Sequence, residues 1–276
     1  MALVWLLYAV RIALLSGERL AFNRLGANRP LWAAAWVAYA GGALTCLAAA
    51  AVTRQMPIDL RAVPGALVYS VSFLLYFWAL KRGPLSVVGA WPAATALMLW
   101  GARPEGGWPA AGAVLLTVAG ALILAGGSWS AQAGASIGVM LLSDAALAVG
   151  RDWDRTRAVG PVVPYAATVF LVVAIVMGVG AWAAGDLSAA KRLATERPVW
   201  TLISGLTNGG AYLTLAGLLR HWPPYVIEAL SGAAGLATVA FGAVALREGS
   251  AWRKGAGALL LSAGAGILAV LQGSRP

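Results

Sequence analysis

Ionisable side chains inside long apolar runs are where chemistry concentrates in this sequence. Arg11 falls near the middle of the first run, and Asp144 near the middle of a later one, 133 positions on. A lone charge at that depth in hydrocarbon costs about 2.5 to 3.5 kcal/mol on insertion scales, so each must be paired or face water. The two are expected to meet or to share a wet cavity. There they either fix helix packing as an ion pair or anchor a charged group of a bound solute. Glu18 and Arg151 repeat the spacing of 133 with opposite sign. Each lies seven residues, roughly 10 Å along a helix, beyond the first two, which sends them to opposite membrane faces as solvated rim charges or gate residues. Glu228 is read near a membrane face, where a snorkelling carboxylate competes with a buried proton carrier.

Uncharged polar residues form two helical stripes. Tyr69, Ser72 and Tyr76 recur at three and four residues, and Ser204, Asn208 and Tyr212 at four. In lipid each stripe must turn to a neighbouring helix or a cavity, because polar groups facing hydrocarbon are expensive. Tyr8, the other tyrosines and Trp91 offer aromatic faces, Asn208 can orient polar groups, and Arg11 suits a carboxylate. A cation held by Asp144 and the aromatics is the alternative. Pro92, Gly232 and Gly235 interrupt or loosen their runs and are candidate hinges.

The elements that must carry these residues are set by composition. Of 276 residues, 61% are hydrophobic and 11% charged, against roughly 25% charged in soluble domains. Apolar runs of about 20 residues recur, which suits transmembrane helices. Ten are read: Ala2 to Phe22, Leu31 to Val52, Ala62 to Leu80, Leu85 to Trp100, Pro109 to Leu124, Ala133 to Trp153, Val162 to Ala184, Val199 to Leu219, Val226 to Leu246 and Gly255 to Leu271. The first run has no basic segment before it and is expected to be a retained helix. Trp32, Trp108, Trp129, Trp200, Trp222 and Trp252 fall near run ends, as an interfacial belt does.

The net charge of +10 resides mostly in the breaks between runs, so it meets lipid phosphate rather than nucleic acid. One cysteine and one histidine leave no disulfide framework and no metal or cofactor site to expect. No paired acidic motif lies inside a run, which argues against an enzyme. The expected partners are a small-molecule substrate and membrane lipid, with the chain as monomer or homodimer.

The two halves, 1–126 and 133–272, resemble each other. Gly17-Glu18-Arg19 matches Gly150-Arg151-Asp152, both read as glycine plus charges at the end of a half's first helix. Leu80-Lys81-Arg82-Gly83-Pro84 matches Leu219-Arg220-His221-Trp222-Pro223, and Glu105-Gly106 matches Glu248-Gly249. The order is preserved. The expected fold is therefore an all-α integral membrane protein of ten transmembrane helices in two inverted five-helix repeats, because an odd helix count inverts the second half. Basic residues divide too evenly between the two sides for the positive-inside rule to orient the chain.

These motifs carry a further reading. Ala79-Leu80-Lys81-Arg82-Gly83-Pro84-Leu85-Ser86, Pro92, Glu105, Pro223, Leu246-Arg247-Glu248 and a glycine-rich last helix resemble the drug/metabolite transporter superfamily, in particular EamA-type bacterial exporters. The chain departs from the pattern where Pro104 and Arg247, rather than glycine, precede the glutamates. The resemblance implies a multi-pass transporter of the bacterial inner membrane, with both termini cytoplasmic, exporting amino acids or related metabolites by alternating access. It also implies that Glu105 and Glu248 are helix-boundary residues, not ligands.

Overall fold

The structure, a computed structural model, describes residues 2–83, 92–125, 131–157, 160–232, 234 and 251–273. Trp91, Gly235 and Glu248 lie outside the described residues. Within them the chain is helical, with no strand. The first half holds α1 (Ala2–Gly26), α2 (Leu31–Val52), α3 (Val63–Arg82), α4 (Pro92–Ala102) and α5 (Gly107–Ala125). The second holds α6 (Ala131–Arg157), α7 (Val162–Ala183), α8 (Leu187–Glu196), α9 (Pro198–Leu218), α10 (224–232) and α11 (Ala251–Gly273).

Among the described residues, five segments are long and apolar enough to cross a membrane: Leu31–Val52, Leu60–Arg82, Gly107–Leu124, Gly134–Arg157 and Val162–Ala183. Helix α1 is longer, at 25 residues, but its charges lower its hydropathy. Leu44, Leu67, Val71, Leu115, Leu142, Val149, Ile175 and Val179 are exposed in mid-helix. Exposed apolar side chains in that number are a liability in water and fit a lipid-facing surface. The chain thus has the build of a membrane protein.

Small residues set the helix contacts. A Cβ on Gly41 would come within 2.9 Å of the Gly205 Cα, so α2 and α9 touch backbone to backbone. Gly120 and Gly257 allow the same between α5 and α11. Gly17 lies against Thr207, Leu14 against Gly210 and Leu7 against Gly217, which makes α1 and α9 antiparallel. Likewise Gly65 meets Trp153 and Tyr69 meets Gly150, so α3 and α6 are antiparallel. Helix α4 runs parallel to α6 through Thr95 with Asp144 and Arg103 with Asp152. Helix α1 runs parallel to α10 through Tyr8 with Leu230 and Arg11 with Ser231.

Helices α2 and α7 end alike. Gln55 N–H donates to the Ala50 carbonyl and Asp186 N–H to Ala181, with Arg54 and Gly185 at positive φ of 53° and 72°. Beyond α2, the Asp59 carboxylate accepts from Arg61 Nε at 2.9 Å and from the Arg61 backbone N–H at 3.1 Å. The Arg61 side chain holds the Asp59 carboxyl below its ordinary range, against a smaller opposing effect of burial.

Helix α1 runs beyond its expected end at Phe22 to Gly26, with Phe22 and Leu25 fully buried. The stretch holding Lys191 and Arg192 folds as α8, with Ala190 and Leu193 buried and both cations exposed. A ten-residue amphipathic helix is too short for a hydropathy run to reveal. Trp222 is buried against Trp5 and Tyr8, at 5.0 and 6.0 Å between ring centroids, rather than standing in the belt.

Candidate functional site

Where α1, α2, α3, α6, α9 and α10 converge, they border a cavity of about 70 Å³. That volume admits a few waters or one polar head group. Arg11, Glu18 and Arg19 reach it from α1, Arg151 from α6, Asn208 and Tyr212 from α9, and Glu228 from α10. Tyr39, Phe73 and Tyr76 form an aromatic wall, with Tyr39 and Phe73 stacked at 5.1 Å.

Glu228 is the centre of the charge network. Its Oε1 accepts from Arg151 Nε at 2.6 Å and from Arg11 Nη2 at 3.5 Å. Arg11 spends its other nitrogens on the Ser231 hydroxyl, at 3.1 Å, and the Ala211 carbonyl, at 2.7 Å. Arg151 Nη1 donates to the Tyr69 hydroxyl at 2.8 Å and lies 3.7 Å from Asp154 Oδ2. Its guanidinium also stands over the Tyr69 and Tyr212 rings, at 5.1 and 5.6 Å. Asp154 in turn accepts three phenolic hydrogen bonds, from Tyr69 at 2.5 Å, Tyr165 at 2.7 Å and Tyr212 at 2.7 Å. A buried carboxylate so fully satisfied is a fixed counter-charge to Arg151.

Arg19 is different. It is 1% exposed, yet neither its Nε nor its Nη1 has a hydrogen-bond partner. The Asn208 Nδ2 is also buried without one. Asp144 keeps one bond, from the Thr95 hydroxyl to Oδ1 at 3.0 Å, while its Oδ2 has none.

The sequence-derived candidates divide accordingly. Arg11, Glu18, Tyr76, Arg151, Asn208, Tyr212 and Glu228 line the cavity. Tyr69 supports it from behind through Arg151 and Asp154. Tyr8 donates to the Leu230 carbonyl, Ser72 to the Ser143 carbonyl and Ser204 to the Thr201 carbonyl, which uses them in packing. Gly232 lies within α10 and Pro92 begins the described part of α4. Trp91 and Gly235 lie outside the described residues.

The expected meeting of Arg11 and Asp144 is overturned. Arg11 bonds to Ser231, the Ala211 carbonyl and Glu228, whereas Asp144 accepts from Thr95 and does not line the cavity. Glu18 and Arg151 do not part to opposite faces but border one cavity, each at most 7% exposed. Glu228 is no snorkelling residue, being 3% exposed and bridged to two arginines.

Two residues escaped the sequence reading. Arg19 stood in the sequence only within Gly17-Glu18-Arg19 at the end of the first helix; Phe22 and Leu25, at helical spacing and both buried, are the sign that the helix goes on around it. Asp154 was readable in principle, because Asp144, Leu147, Arg151 and Asp154 recur at three and four residues on one face of α6. Among the described residues no three His, Cys, Asp or Glu side chains group as metal ligands do.

Comparison with known proteins adds the fold alone. No family model matches the sequence, and no curated protein does. A solved crystal structure, described only as that of a protein, is similar over 97% of this chain and 98% of its own. The identity is 19% and the TM-score 0.70.

Proposed function

We propose that this chain is a small-molecule transporter of the drug/metabolite transporter type, built as ten membrane helices in two inverted repeats. It resides in the bacterial inner membrane and exports amino acids or related metabolites. The observation that carries the reading is the charged cavity itself. Three arginines and two glutamates border one cavity among helices whose outer faces are apolar. Burying five charges costs more than an apolar core of the same volume would, so their presence favours a use beyond stability. Charges of both signs suit a zwitterionic head group, and the aromatic wall suits its side chain.

Helix pairing supports the inverted repeat. The antiparallel pair of α1 with α9 exchanges with that of α6 with α3 when the halves are swapped, and the parallel pair of α1 with α10 exchanges with that of α6 with α4. Helices α2 and α7 both have 22 residues and both follow a proline, Pro30 and Pro161. Such symmetry offers two equivalent ways to rock the halves about the cavity, which is what alternating access requires.

Counterflow in proteoliposomes, against a panel of amino acids, organic cations and phosphorylated metabolites, tests the proposal. Saturable flux of an amino acid is the expected result. No flux for any solute would refute it.

A further inference from the structure

The cavity holds three guanidinium groups, but they are not equivalent. Every nitrogen of Arg11 has a partner within the protein, and Arg151 is committed to Glu228, Tyr69 and Asp154. Both are thus held in place by groups of the chain itself. Arg19 keeps two guanidinium nitrogens unsatisfied while 1% exposed, and Asn208 contributes an unsatisfied carboxamide nitrogen while 5% exposed. Both side chains border the same space. Buried donors left unpaired are costly, and a native site that keeps them is provided with acceptors from outside the chain.

We infer that Arg19 and Asn208 form the recognition site for a compact oxyanion, the carboxylate or phosphate of a soluble metabolite. Arg11 and Arg151 are positioning residues that hold Glu228 and the surrounding wall. The oxyanion accepts from donors that no group of the chain satisfies, on two residues that border the cavity. A cationic ligand would leave those donors unpaired and bring a like charge to Arg19. The inference deepens the transport reading by naming the substrate class, and it rests on that reading for its biological meaning.

The test is binding to the full chain purified in detergent, followed by the rise in melting temperature with sodium propionate, inorganic phosphate or propylamine at constant ionic strength. Propionate, phosphate or both should stabilise the wild type, and propylamine should not. Arg19→Gln should weaken the apparent affinity at least tenfold, and Asn208→Ala severalfold, with helical circular dichroism unchanged. Should Arg19→Gln not fold, the loss in Asn208→Ala decides. No response to either anion, or equal responses in wild type and variants, would overturn the assignment. So would stabilisation by added phosphatidylglycerol in place of the soluble anions.

Failure here is distinguishable from failure of the transport reading. Flux that survives Arg19→Gln refutes the site and leaves transport standing. Propionate binding through Arg19 without flux of any panel solute does the reverse.

Discussion

Replacing Arg151 by methionine removes the cation that joins two buried carboxylates. Its Nε lies 2.6 Å from Glu228 Oε1 and its Nη1 2.8 Å from the Tyr69 hydroxyl, with 5% of the residue exposed. Charge centres about 4 Å apart at an effective dielectric of 20 attract by about 4 kcal/mol. Glu228 then keeps only Arg11, at 3.5 Å, while Asp154 keeps its three phenolic donors. The net cost should approach the roughly 3 to 5 kcal/mol typical of breaking a buried pair.

The double variant Arg151→Met/Glu228→Gln removes the stranded charge as well. It should recover about 1.5 kcal/mol or more of the sum of the two single losses. Equilibrium unfolding in mixed detergent micelles measures all three variants. A loss below about 1 kcal/mol in Arg151→Met, or strictly additive single effects, would refute the reading of Glu228 as a carboxylate dependent on Arg151.

Three further outcomes follow. Asp154→Asn leaves one carbonyl oxygen to serve three phenolic donors and adds an NH₂ facing hydroxyls; a loss of about 3 kcal/mol or more in the same unfolding assay is expected. Gly41→Ala drives a Cβ to 2.9 Å from the Gly205 Cα and should cost about 1 to 3 kcal/mol, whereas Gly112→Ala meets nothing within 4 Å and should be neutral or stabilising by up to about 1 kcal/mol. The Asp59 carboxyl, held down chiefly by the Arg61 side chain, should titrate by NMR below the free value of about 3.9. Its contribution to stability is present above that pH and is lost as pH falls through the lowered folded value, and Asp59→Asn should abolish the titration.

Hydropathy alone determined that the chain is helical and membrane-like, and it set most helix bounds to within a few residues. Leu31–Val52 coincides with its predicted span, and α5, α7, α9 and α11 fall close to theirs. The reason is local: apolar run length and proline or glycine breaks act through neighbouring residues. The polar stripes were legible as well, since a helical period places Tyr76, Asn208 and Tyr212 on inward faces wherever the helices later pack.

Tertiary structure alone decided who pairs with whom. Antiparallel and parallel crossings fix which depths of two helices are level, and no spacing along one chain contains that quantity. Arg11 therefore meets Glu228 and not Asp144, and Asp154 gains three tyrosines from three different helices. Packing also decided that α1 stays buried beyond its charges, so that Arg19, unremarkable beside Glu18 in the sequence, became the cavity's guanidinium with donors to spare. Identical residue types thus differ, Arg151 with its bonds made inside the chain and Arg19 with two nitrogens unmet, according to the neighbours that only the fold supplies.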